Sequence, residues 1–258
     1  MKIWYQSAGS LGKREEYTEY ESTLKTYLNS IARPGTQVDV HGVNICSRKI
    51  QSSRYEELLH QHQIVENLLQ AQQEGYDAFA VGCALDPAFY ALREVADIPI
   101  ASLSEATMLL ACLLAPNFSL LCQDKPLLRR VMEYVKRYGL SDRYIQCDSF
   151  EVSRKDLFRA FDDPEILLKP ARRVAREAAE KGVTMFVVAE NIVNMIFAKH
   201  KINQIENIPI LEGGGALVKI AEMLVDLRQM GINRSQLGLY SPLAKEDLKS
   251  MRELYGVA

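Results

Sequence analysis

Two stretches of the chain repeat one another, and the repetition limits what it can fold into. Tyr76-Asp77-Ala78-Phe79-Ala80-Val81-Gly82-Cys83 corresponds to Val183-Thr184-Met185-Phe186-Val187-Val188-Ala189-Glu190. Asp97-Ile98-Pro99-Ile100 corresponds to Asn207-Ile208-Pro209-Ile210, and a helical run follows in each half, over 106–114 and 216–227. The apolar runs are too short for helices and are bounded by breakers, so they read as buried strands. In each half the first strand ends in polar residues, Gln6-Ser7 and Gln123-Asp124. A duplicated β-α-β unit folds as two similar α/β lobes, each a mainly parallel sheet flanked by helices, related by a pseudo-twofold. Open parallel sheets bind ligands at the carboxyl ends of their strands. Cys83 and Glu190 are therefore expected to face each other across a shared cleft.

The remaining pattern fills in both lobes. Strands are expected over 2–6, 37–43, 98–101, 117–123, 143–148, 184–189 and 208–211. Tyr17, Tyr20, Leu24, Tyr27, Leu28 and Ile31 mark an amphipathic helix over 15–31, ended by Arg33-Pro34-Gly35. Further helices are expected over 55–74, 87–96, 104–114, 126–138, 164–181, 212–230 and 244–255. Ser104 is the expected N-cap of its helix. Residues 45–54 read as loop, and 150–163 as acidic, mixed and partly helical.

Composition narrows the function classes. Of 258 residues, 48% are hydrophobic and 25% charged, as in a soluble globular protein. The formal charge of −2, with no Lys/Arg block, argues against nucleic acid or a membrane surface as partner. No apolar stretch is long enough to span a membrane. The first residues run straight into a strand without signal-peptide anatomy. Five cysteines, none in a C-x-x-C pair, point to reduced thiols and a cytoplasmic protein. No cluster has structural zinc spacing, and His60 and His62 sit at i, i+2, on different sides of a helix. No metal and no cofactor is expected. The triple glycine Gly213 to Gly215 matches no nucleotide pattern, although a helix N-terminus there could receive an anionic substrate group.

The segment from Asp77 to Pro87, then Arg93 to Ile100, Ser104-Glu105-Ala106 and Phe118 to Leu121, resembles the aspartate/glutamate/hydantoin racemase superfamily. That family carries a Gly-Cys followed by an Asp-Pro, an Asp-Ile-Pro-Val-like strand and a Glu-Ala helix start. The likeness covers most of the chain in organisation and is tightest over 76–122. It implies two α/β lobes with the C-terminal helices returning to the first: 1–103 plus 213–258, and 104–212. It implies a cofactor-independent racemase or isomerase of a small carboxylate, amino-acid or hydantoin-like compound, working with one cysteine from each lobe. A homo-oligomer is compatible with it. Cys83 matches the first family cysteine, but the second position is Glu190. The threonine pair that often follows the strand at Phe118 is here Cys122-Gln123, and the Asn-Pro-like loop after the first strand is Gln6-Ser7-Ala8-Gly9.

Two-base racemisation needs one group to take a proton from carbon and another, on the opposite face, to return one. A thiolate suits this if backbone N–H groups lower its pKa, and the turn from Ala84 to Pro87 could supply them. A carboxylate at Glu190 can be the second group if burial raises its pKa. Cys83 and Glu190 are thus the candidate catalytic pair. Gln6, Ser7, Ala84, Gln123 and Asn191 are candidates for orienting a substrate that is anionic or carbonyl-bearing. Two other readings stand beside this one: a Cys83-dependent hydrolase or lyase with Glu190 positioning water, and a non-catalytic small-molecule binder. Free cysteines are commonly core filler; Cys46, Cys112 and Cys147 read as structural, and Cys122 as packing or pocket lining. Asp86 either caps the helix after Cys83 or tunes its thiol.

Overall fold

The computed structural model describes residues 1–47 and 49–257. The first half runs β1 (Lys2–Ser7), α1 (Thr18–Ile31), β2 (Gln37–His41), α2 (Arg54–Gln73), β3 (Ala78–Gly82), α3 (Phe89–Val95), β4 (Ile100–Ser102) and α4 (Leu103–Leu114). The second runs β5 (Ser119–Leu121), α5 (Lys125–Arg137), α6 (Arg154–Arg159), α7 (Glu165–Glu180), β6 (Phe186–Val188), α8 (Asn191–His200), β7 (Gln204–Ile205) and β8 (Ile208–Leu211). α9 (Gly213–Gln229) and α10 (Lys245–Tyr255) close the chain.

The strands form two sheets of four, ordered β2-β1-β3-β4 and β5-β6-β8-β7. Every pairing is parallel except β7 with β8. Strands β1, β3, β5 and β6 are buried almost throughout, as sheets covered on both faces require. Register sets Ser7 opposite Gly82, and Leu121 opposite Val188. The polar residues after β1 and the thiol after β3 therefore share one sheet edge. α9 lies against β3, β4 and α4, so the last long helix returns to the first sheet, and it also touches α8. Among the described residues no helix is long and apolar enough to cross a membrane.

Local signals explain most elements. Ser53 caps α2 by accepting the Glu56 N–H at 3.1 Å, and Asp124 caps α5 by accepting that of Leu127 at 2.9 Å. Tyr20, Leu24 and Leu28 give α1 its buried stripe. Elsewhere the structure differs from expectation. Instead of a strand over 143–148 there is a 3₁₀ turn at Ser141–Arg143 and a single bridge from Phe118 to Tyr144. The β7–β8 hairpin turns at Glu206 and Asn207, with φ of 48° and 65°; two successive positive φ values match the right-handed twist of a two-residue hairpin. No glycine marks that turn, which is why the pattern did not show it.

Ser104 does not cap α4. Its hydroxyl donates to the Ala84 carbonyl at 2.7 Å. The cap comes from Asp86, whose carboxylate accepts the Ser104 and Glu105 N–H groups, each at 2.9 Å. Asp86 has φ 35°, turning its side chain away from α3 and toward the start of α4.

Candidate active site

The carboxyl ends of the two sheets enclose a cavity of ≈ 70 Å³. From the first sheet come Ser7 at the end of β1, Cys83 and Ala84 after β3, and Gln51 from the loop before α2. From the second come Glu190 and Asn191 after β6, and Arg154 at the start of α6. Five of the seven site residues expected from sequence thus line one space. Gln6 and Gln123 do not. The Gln6 carboxamide is buried in a knot, accepting from Trp4 Nε1 at 3.0 Å and Asn67 Nδ2 at 2.8 Å and donating to the Ser7 carbonyl. Gln123 donates to the Val152 carbonyl at 2.9 Å, tying down the segment before α6.

Gly82 gives Cys83 its place. A Cβ there would overlap the ring of Tyr5, so only glycine lets β3 run this close to β1. The turn beyond Cys83 offers its sulfur one amide, the Leu85 N–H. Burial outweighs that bond and, with the fields of Asp86, Glu190 and Glu57, pushes the thiol up to about 12. The expected cluster of activating N–H groups is not formed: the Asp86 N–H closes the turn on the Cys83 carbonyl at 3.0 Å, and the Leu85 N–H is the amide left to the sulfur. At neutral pH this burial keeps Cys83 in the thiol form.

Glu190 lies two residues beyond β6, one residue before α8, and is 8% exposed. It accepts the Gln51 carboxamide N–H. Burial pushes its carboxyl up to about 7, against the field of Arg154; Asp124 raises it further, while Ile192 N–H and Gln51 draw it down. Asn191 donates to the hydroxyls of Tyr5 at 3.0 Å and Tyr20 at 2.8 Å. These bonds cross from one lobe to the other, as does the buried pair of Arg130 with Glu57.

Several lining residues were not singled out by sequence: Gln51, Arg154, Tyr17, Tyr20 and Cys46. Topology could have found Gln51 and Cys46, since a loop that follows β2 opens on the same sheet edge as Cys83. Cys46 thus lines the cavity rather than serving the core alone. It also lies near Glu56 and His60, the three offering ligand-type atoms within 4.8 Å of one another. Glu56 accepts the N–H groups of Ser47 at 2.5 Å and Lys49 at 2.6 Å, and so holds the loop that carries Cys46. Cys122 is fully buried and does not line the cavity. The triple glycine is closed to ligands: Gly213 N–H is bound by Asn194 at 2.7 Å, and those of Gly214 and Gly215 by the Glu212 carboxylate.

The wider comparison agrees with this architecture. A hydantoin racemase from Pseudomonas sp. (strain NS671) is 27% identical over 227 residues, 88% of each chain. One from Paenarthrobacter aurescens is 22% identical over 67% of this chain and 72% of its own. Among solved structures, an allantoin racemase from Pseudomonas fluorescens superposes with a TM-score of 0.77 at 17% identity, over 94% of this chain and 97% of its own. A glutamate racemase from Bacillus anthracis gives 0.63 at 13% identity, over 99% and 94%. The family model for Asp/Glu/hydantoin racemases matches residues 18–221, and the chain belongs to that family.

Proposed function

We propose that this protein racemises a hydantoin-type cyclic ureide without a cofactor, using Cys83 and Glu190 as its two proton-transfer groups. The observation that carries the reading is that these two side chains, from the ends of strands in different sheets, line one cavity. The hydantoin racemases among its relatives supply the substrate class.

The chemistry follows from the proton inventory. With sulfur near 12 and the carboxyl near 7, neutral pH leaves Cys83 protonated and about half of Glu190 ionised and able to accept a proton. Glu190 removes the proton from the carbon next to the ring carbonyl, and the Cys83 thiol delivers one to the opposite face. The opposite enantiomer requires thiolate and carboxylic acid. The pair is therefore unsymmetrical, unlike two thiols. Ser7, Ala84 and Asn191 are the groups placed to orient the ring. Five free cysteines suit a reducing compartment such as the cytoplasm.

A single enantiomer of a substituted hydantoin incubated in deuterated water with a chelator tests this. Loss of the circular-dichroism signal with one deuterium at the ring carbon and no change of composition is the expected result. A hydrolysed product without exchange would replace racemisation by Cys83-dependent hydrolysis.

A further inference from the structure

Among the described residues Arg154 is the one Lys or Arg lining the cavity, and none of them gives it an anion at contact distance. Among the described residues its one hydrogen bond runs from Nη2 to the Tyr17 hydroxyl at 2.5 Å. Nε is buried without a partner. The guanidinium carbon stands 5.9 Å from the Tyr17 ring and 5.8 Å from that of Phe158, so aromatic walls hold it. Among the described residues no carboxylate reaches it within the 4.0 Å of an ion pair. Glu190, the carboxylate beside it, accepts from Gln51 instead. Burial lowers the Arg154 pKa, but Glu190 and Tyr17 outweigh this and keep it a cation. A half-buried guanidinium with a neutral partner is costly unless a ligand completes it.

We propose that Arg154 is the anion subsite of this cavity, and that the substrate carries a carboxylate on its side chain. The proposal rests on the racemase reading for the ring, and adds the arm. A planar guanidinium matches a carboxylate with two parallel N–H···O bonds, which an ammonium cannot do.

Two hydantoins that differ only in charge decide it: the carboxymethyl compound and its carbamoylmethyl analogue. Wild type is expected to favour the acid by about tenfold or more in kcat/KM, and Arg154→Gln to lose about 30-fold or more on the acid but threefold or less on the amide. Arg154→Lys keeps the charge but not the fork, and falls between. If the glutamine variant melts early, Arg154→Met, which keeps the stem against Phe158, replaces it. Equal losses on both substrates would make Arg154 a positioning residue for Glu190 and overturn the subsite, as would a wild-type preference for the amide. Should wild type racemise neither compound, glutarate binding by calorimetry separates the two ideas. Binding lost in Arg154→Gln keeps the subsite and discards the hydantoin; no binding to wild type discards the subsite.

Discussion

The ends of β3 and β6 occupy equivalent places in the two halves, but the chain leaves them differently. After β3 it makes a turn through Asp86 and Ala88, with φ of 35° and 57°, before the seven-residue α3. After β6 it enters the ten-residue α8 at once, with Glu190 as N-cap. A helix start favours an anion, through free N–H groups and the macrodipole. The thiol gets one amide, and the carboxylate gets a helix and a nearby guanidinium. Duplication matched the positions; the backbone that follows each decides which group holds the proton.

Four substitutions test that contrast. Cys83→Ala removes one of the two proposed transfer groups and should cost about 10³–10⁴-fold in kcat, with little effect on melting. Glu190→Gln keeps the shape but not the base, and should cost about 10²–10³-fold. Its pH profile is the sharper measurement. In wild type, kcat/KM for the enantiomer that Glu190 deprotonates should rise with pH through about 7, and the rise should vanish in the variant. Linkage gives the matching stability signature. A carboxyl whose folded value exceeds its unfolded one binds protons more tightly in the native state, so stability falls as pH rises from 4.5 through about 7. Denaturant titrations of wild type and Glu190→Gln across that window should differ in slope, and identical slopes would refute the shift.

Smaller effects probe the scaffold around the thiol. Gly82→Ala drives a methyl into Tyr5 and should destabilise by about 1–3 kcal/mol, seen as a lower denaturation midpoint. Asp86→Ala removes the acceptor of two α4 amides and should cost about 1–2 kcal/mol. It should also lower kcat, because the Cys83 turn is tied to α4 through that carboxylate. If only stability changes, the turn holds its shape without the tie.

Most of the fold was legible because duplicated apolar runs with breakers specify buried strands wherever they sit. Cys83 and Glu190 were legible for the same reason, being strand ends. Gln51 and Arg154 were not. Each comes from a segment with no hydrophobic period, and each acquires its place from the other half of the chain, Gln51 on Glu190 and Arg154 on Tyr17. Asp86 misled because its neighbourhood reads as a helix start, while its positive φ serves a helix that begins later at Leu103. Gly213 to Gly215 looked like an anion cradle, but Glu212 and Asn194 already fill it, and a Cβ at Gly213 would stand 2.9 Å from Asn194 Nδ2. Local sequence announces backbone donors; it does not announce which side chain reaches them first.

The bond from Gln51 to Glu190 means that the protein itself supplies a donor to this cavity-lining carboxylate. A carboxamide N–H of the protein occupies an oxygen that a ring N–H of the proposed ureide substrate would otherwise meet. A ligand that bonds to that oxygen exchanges with this internal donor. A ureide can replace one amide donor with another at little cost, whereas a ligand without N–H leaves a buried carboxylate unsatisfied. Selection for cyclic amides over esters or plain ketones would then begin at displacement, before any proton moves.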